Sequence, residues 1–459
     1  MKDENAKDQQ QEMILQGKLT RVMWKLSLPA IMAMMLFGFN TFMDTVYIGQ
    51  LMDEVALAGV SLAYPLTSIM MGFGSWAGTG AGNLLSISIG KKDTATQEKI
   101  LSNTSIMMIV VSVLFAVPAY IYAEYLIRRM GGTGEVLAYG VRYFRVSVLS
   151  TPFWVFGLGF NMIVRGEGKM KEAAIMFVYG LVLNLVLTPV LIYFFDMGVE
   201  GAAWATNLGM LVYTVVGYRY FASGKASFNA KIHSLAYTPH VLKSVIKLGF
   251  PGFVLSAMSV VQALFVFNAI VGVGDEGDIA FFAASHRILL FMMTPLFGMM
   301  RALQPVVGVN YGAKQYDRVR EAFFTFCKHG FYIVFPFWLV MSLFPQYCLG
   351  LVLPNVDFQA QDLWNFRIYI FMLPFLPFVF NSLTFLPAIG KPKNANIIGM
   401  ARQLVFYVPV MLILPSYLGL RGVYIGATAI DLFITAWMAI VVTAEMRRLR
   451  KEYVPQLTL

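Results

Sequence analysis

Charge is scarce in this chain of 459 residues. Asp, Glu, Lys and Arg together make up 13% of it, and 58% of the residues are hydrophobic. Soluble domains carry about 25% charged residues, so a water-soluble globular fold is excluded and an integral membrane protein is expected. Cysteine is scarcer still. Cys327 and Cys348 fall at either end of one expected helix, roughly 31 Å apart, far beyond the roughly 4–7 Å a disulfide spans. The four histidines, His233, His240, His286 and His329, show no metal-ligand spacing. No cofactor is expected, and no metal beyond a coupling Na⁺. The first twenty residues, MKDENAKDQQQEMILQGKLT, are polar and lack the apolar core of a signal peptide, so no cleaved leader is expected.

What the chain has in quantity is long apolar runs. They cover about 21–49, 55–89, 100–123, 139–164, 173–195, 200–221, 244–272, 279–311, 321–344, 360–388, 396–416 and 421–444. Twelve runs of spanning length predict an all-α membrane protein of twelve transmembrane helices. The net charge of +10 is placed as topology requires. Of the 35 Lys and Arg, 27 lie in segments on the side of the N-terminus. The positive-inside rule then puts both termini in the cytoplasm and explains the basic balance without nucleic acid.

The longest polar interruption, 223–243, divides the chain in two. Pro29 and Pro251, Gly90 and Gly312, Pro152 and Pro374, and Gly168 and Gly390 all stand 222 apart, as do Lys92 and Lys314, Lys169 and Lys391, and Lys171 and Lys393. One offset held over this length marks a duplication. Six spans is an even number, so the two six-helix repeats enter the membrane parallel to one another. The expected organisation is an N-terminal tail at 1–19, an N-lobe at 20–222, a linker at 223–243, a C-lobe at 244–446 and a C-terminal tail at 447–459. Transporters built this way bind between their halves and rock one against the other.

Within the first run, 26–51, stands one carboxylate, Asp44. An acid inside a span costs about 2.5–3.5 kcal/mol on insertion scales and is read as functional. Asn40 lies one turn before it on the same face. Asn184 and Thr188, at i and i+4, share a face of the fifth helix, and Thr206 enters the sixth from the same membrane side. Asp44, Thr188 and Thr206 all lie within about 10 Å of the outer ends of their helices, so the set could converge on one cavity in the outer half. Asn40 and Asn161 are candidates for a substrate cavity.

Asp431 is the clear intramembrane acid of the second half. Its expected role is structural, paired with a cation such as Arg287 or capping backbone near Gly422 and Gly426. His286 reads as a packing histidine rather than a proton relay. The 29 Met and 38 Phe would suit a plastic drug cavity but serve mostly as interhelical and lipid-facing filler.

In sequence order, P-x14-D-x4-G-x-L, ALAGVS (56–61), GTGAGNLLSISIGKKD (78–93), RGEGKMKEA (165–173), NLVLTP (184–189) and GVEGAAWAT (198–206) resemble the multidrug and toxic compound extrusion (MATE) family. In the second half QPVVGVNYGAK (304–314), IGKPKNA (389–395), ARQ (401–403) and GLRGVYIGATAID (419–431) sit in the corresponding places. The resemblance covers about 20–445. It implies a two-lobed antiporter that exports small organic, often cationic, compounds against H⁺ or Na⁺. It also implies a cation site at Asp44, Asn184, Thr188 and Thr206. One position departs from the family pattern: Thr188 stands where an Asp is usual. With one carboxylate left, proton coupling is favoured over Na⁺.

The expected setting is the cell membrane, the expected partners are small organic substrates and the bilayer, and the expected state is a monomer. The rival within the superfamily is a flippase for lipid-linked precursors, disfavoured because Arg287 and Arg301 are few cations for a phosphate-bearing head group. An intramembrane enzyme would need clustered acids or a His–carboxylate pair, and the spans offer neither.

Overall fold

The structure is a computed structural model that describes residues 2–52, 54–274, 276–353 and 356–453. Among these there are helices and no strands, as the apolar runs require: inside a bilayer each backbone N–H and C=O must find its partner within the segment. After a surface helix α1 (Lys2–Gln16) come α2 (Leu19–Leu51), α3 (Glu54–Gly90), α4 (Thr94–Ile121), a short α5 (Ala123–Arg129), α6 (Gly134–Leu149), α7 (Thr151–Gly166), α8 (Met170–Pro189) and α9 (Gly198–Ala222). The second half follows with α10 (Pro239–Val273), α11 (Glu276–Gly312), α12 (Tyr316–Leu343), a short α13 (Pro345–Gly350), α14 (Ala360–Ile370), α15 (Leu376–Ala388), α16 (Pro392–Met400), α17 (Val408–Leu418) and α18 (Leu420–Tyr453).

Among the described residues ten spans pass on length and apolarity alone, and α6 with α7 forms an eleventh, bent by 50°. The 25-residue α9 is rich in Gly, Ala, Thr and Asn, which lowers its apolarity but not its reach of about 37 Å. Counting it gives the twelve-helix architecture. The α6–α7 bend has a local cause. The Ser150 and Thr151 hydroxyls donate to the carbonyls of Ser147 (2.7 Å) and Val148 (2.6 Å), and Pro152 brings no N–H to the ladder. Pro189 likewise hands over to a π-turn at Val190–Phe194, and a second π-segment, Ala401–Tyr407, joins α16 to α17. Cys348 lies in α13 rather than at the end of the same helix as Cys327, and both thiols are free.

The 222-residue offset is also written in the backbone. Lys92 and Lys314 both take positive φ (57° and 61°), as do Gly168 and Gly390 (82° and 73°) and, at 221, Gly198 and Gly419 (55° and 58°). The paired glycines at the ends of α3 and α11 meet. A Cβ on Gly90 would collide with the Val309 carbonyl, and one on Gly312 with that of Ile87. Small residues are what let two membrane helices approach this closely.

The core shows how the halves lean. One apolar cluster runs through both and includes Ile31, Leu85, Ile89, Val245, Val306 and Val309. Toward the opposite face it gives way to separate clusters. Ile48, Ala56 and Ile192 belong to the first half alone, and Phe281, Leu349 and Phe366 to the second. The halves are therefore joined toward the face where α2 begins and part toward the other, the far face.

The segment 1–19 is not simply a polar tail, because α1 docks. Gln10 Nε2 donates to the Gly168 carbonyl of the first half (2.9 Å). The Ile14 carbonyl accepts from Asn310 Nδ2 (3.3 Å) and from Arg318 Nε and Nη2 (3.1 and 3.0 Å) of the second, and the Gly17 carbonyl accepts from Arg318 as well. A helix C-terminus with bare carbonyls takes such a cation readily. Arg318→Ala should release α1 and cost about 1.5 kcal/mol, the low end for a hydrogen bond to a charged group, as its part-exposed site requires. A lower unfolding midpoint in detergent, with faster proteolysis ahead of Leu19, is the expected record. At the other end α18 continues to Tyr453, past the expected boundary at 446. The linker is tied to the first half: Thr238 N donates to Asn103 Oδ1 (2.7 Å) and Ser227 N to Glu167 Oε2 (2.6 Å).

Candidate cation site

The polar residues of α2, α8 and α9 meet toward the far face. The approach of α8 to α9 is set by Gly180 and Gly209, whose backbones touch. A Cβ on either would stand 2.7 Å from the other's carbonyl oxygen. One turn further along α8 comes Asn184, and Asn184 Nδ2 reaches Thr206 Oγ1 on α9 at 3.2 Å and Thr188 Oγ1 at 3.4 Å. From α2, Asn40 Nδ2 donates to Asn184 Oδ1 (2.6 Å) and to Asp44 Oδ2 (3.1 Å), while Thr188 Oγ1 donates to Asp44 Oδ1 (3.4 Å). Asn40, Asp44, Thr188 and Asn184 thus close a ring, to which Thr206 is joined through Asn184. Asn40, Asn184 and Thr188 are buried, and Asp44 and Thr206 are half-buried.

The ring holds a single carboxylate among neutral amides and hydroxyls. Asn40 Oδ1 is buried with no partner, an acceptor left over inside the cluster. With the Asp44 oxygens, Asn184 Oδ1 and two threonine hydroxyls it makes an all-oxygen set of the kind a hard cation accepts. Rotating the two amides would turn oxygen inward where N–H now points. Among the described residues no group of three His, Cys, Asp or Glu side chains could hold a metal ion, and the carboxylate bonded within this cluster is that of Asp44.

Two aromatic neighbours escaped the reading of the sequence. The phenols of Tyr64 on α3 and Tyr143 on α6 lie close enough to feel the charge of Asp44. Isolated tyrosines inside spans carry no periodic signal that would mark them.

Asn161 lies elsewhere. Its Nδ2 donates to the Ala173 carbonyl (2.6 Å), and it lines a separate small cavity with Arg165 and Arg301. The expected cation for Asp431 is also corrected. Its partner is Arg402 (2.7 and 2.9 Å), which further donates to Gln262 Oε1 (3.1 Å), and Arg287 is exposed. By sequence Arg402 reads as a loop cation, but it stands ten residues into its span on the π-segment, about 15 Å deep. His286 Nδ1 meets the Tyr369 hydroxyl at 2.7 Å, and its ring stacks on Phe282, a satisfied packing histidine.

The MatE family model matches residues 29–190 and again 253–413, so its two copies begin on either side of the linker. The chain is similar to the multidrug export protein MepA of Staphylococcus aureus (strain MSSA476), 23% identical over 422 residues, which cover 91% of this chain and 92% of that one. It is similarly related to MepA of Staphylococcus haemolyticus (strain JCSC1435), 23% identical over 448 residues, covering 96% and 97%. Among solved structures, an outward-facing multidrug resistance MATE family transporter of the MOP superfamily superposes with a TM-score of 0.88 at 24% identity, covering 96% and 98%. A MATE transporter in the bent conformation superposes with 0.89 at 24% identity, covering 96% and 98%. At such identity the solved structures speak to the fold. The duplicated family match settles the rest: the chain belongs to the MatE family and is a multi-pass membrane transporter, not an enzyme.

Proposed function

We propose that this chain is a cation-coupled antiporter that exports small organic, often cationic, compounds, with H⁺ the favoured coupling ion and Asp44 its carrier. The observation that carries the reading is the lone carboxylate of Asp44, ringed by Asn40, Asn184, Thr188 and Thr206 inside the membrane. Loading Asp44 removes a charge from the ring and frees Asn40 and Thr188 to re-pair, which gives the cation a differential effect on two arrangements of the halves, as any coupling ion needs. The MepA relatives, named for multidrug export, support the substrate class. The positive-inside count supports a cell-membrane protein with both termini and the linker cytoplasmic, so that the far face is external. A monomer suffices, since both halves come from one chain.

The test is efflux of a fluorescent organic cation from proteoliposomes, with pH and Na⁺ gradients imposed separately. Export under the pH gradient alone is the expected result, and export under Na⁺ alone would reassign the ion. A lipid-linked precursor flippase would respond to neither gradient with this substrate.

Thr188→Asp probes the departure from the family pattern. A second carboxylate about 4 Å from a bound cation offers roughly 4 kcal/mol at an effective dielectric of about 20, mostly offset by desolvation. Na⁺ should then drive export with an apparent affinity raised about tenfold, a net gain of about 1.4 kcal/mol. An unchanged ion preference would mean that position 188 does not touch the ion.

A further inference from the structure

Arg165 ends α7 and is 3% exposed, yet its Nε and Nη2 are buried without a hydrogen-bond partner. It lines a cavity of about 20 Å³ with Arg301 of α11, between the two halves. The remaining walls are Asn161, Met170, Phe177 and small alanines of α2 and α8, with no carboxylate among them. The two guanidinium groups are close enough to repel one another. Among the described residues neither forms an ion pair. The phenol of Tyr213 lies near both, but an ordinary tyrosine is uncharged at neutral pH.

Arginine does not shed its proton in proteins, so the cavity keeps both charges. Arg165 is buried and Arg301 half-buried, and holding like charges out of water without a counter-ion is costly. The cheapest remedy is an anion that comes from solution. The size of the space selects which one. A cavity of about 20 Å³ takes roughly one water-sized particle, which suits a single-atom anion better than a phosphate group.

We propose that Arg165 and Arg301 form a binding site for a small inorganic anion of the chloride class, held across the interface where the halves are joined. The anion accepts from the free N–H groups of Arg165 and from Arg301, and so links α7 of the first half to α11 of the second. Because its two ligands sit on different halves, it stabilises the arrangement in which they meet and is released when they part.

The test compares thermal unfolding of the detergent-purified chain in sodium chloride and in sodium gluconate at equal ionic strength. The parent should melt a few degrees higher in chloride, and Arg301→Gln should lose the difference. Arg165→Gln should lose it too. If that variant does not fold, Arg301→Gln and a bromide soak of parent crystals, read by anomalous scattering between the two arginines, decide the matter. Sodium phosphate and vesicles containing phosphatidylglycerol form the remaining arms. Stabilisation by either of these and not by chloride would overturn the assignment, as would equal midpoints in chloride and gluconate. A chloride shift that survives both substitutions would overturn it as well.

Discussion

Asp44→Asn should reduce gradient-driven export by roughly 100-fold, the effect of removing a coupling free energy of about 3 kcal/mol. The substitution is close to isosteric. The amide oxygen can still accept from Asn40 Nδ2, which now reaches the carboxylate at 3.1 Å, and its NH2 can donate to Thr188 Oγ1, whose own hydrogen then serves the Asn184 carbonyl at 2.9 Å, so the packing of α2 against α8 should survive. What disappears is the ability to bear a negative charge and to take up a proton. Measured in proteoliposomes, the variant should fail under either gradient while still exchanging labelled for unlabelled substrate at equilibrium. That pairing separates a lost ion from a lost fold. Parental export under either gradient would place the ion elsewhere, and the polar ring would then be a packing device joining three helices.

The second large effect is expected in the other half. Arg402→Met leaves Asp431 in a low-dielectric interior without its cation. Both side chains of the pair are less than a third exposed, at 26% and 22%. Removing one partner of a buried pair costs about 3–5 kcal/mol, because the remaining charge has lost its compensation. The lower figure fits the residual exposure here. Thermal unfolding in detergent should show it as a fall of several degrees. Arg402→Met with Asp431→Leu should recover most of the loss, since two apolar groups of similar volume are often as stable as the pair they replace. If the single and double variants melt alike, the pair contributes no more than its packing.

Much of the architecture is legible in the sequence because the bilayer leaves few options. Length and apolarity mark a span, and a polar loop marks a boundary. The duplication is readable because prolines and glycines have backbone reasons to persist at fixed spacing. Positions 92 and 314, or 168 and 390, repeat the same positive φ. Two arginines, by contrast, mislead for one reason. Arg165 and Arg402 stand near the ends of apolar runs, where a cation ordinarily snorkels to the surface, so both read as topology signals. Arg165 is instead turned inward at a helix end, and Arg402 is carried inward by a π-segment that no sequence pattern announces. The docking of α1 is hidden as well, because Gln10 meets Gly168 and Ile14 meets Arg318 across 158 and 304 residues of chain.

The ion pair of Arg402 and Asp431 has an electrical consequence. Gln262, its neighbour, occupies the position 222 residues after Asn40, whereas Arg402 and Asp431 stand as far after Gly180 and Gly209, so each half holds a polar nest but only the second has a built-in cation. One nest carries its positive charge on a covalent tether and cannot trade it with the water on either side. Under the proposed mechanism the other nest alone has something to exchange, so each turnover moves a single elementary charge inward. Expelling a monovalent organic cation would then leave the membrane voltage untouched, and expelling a neutral compound would draw on it.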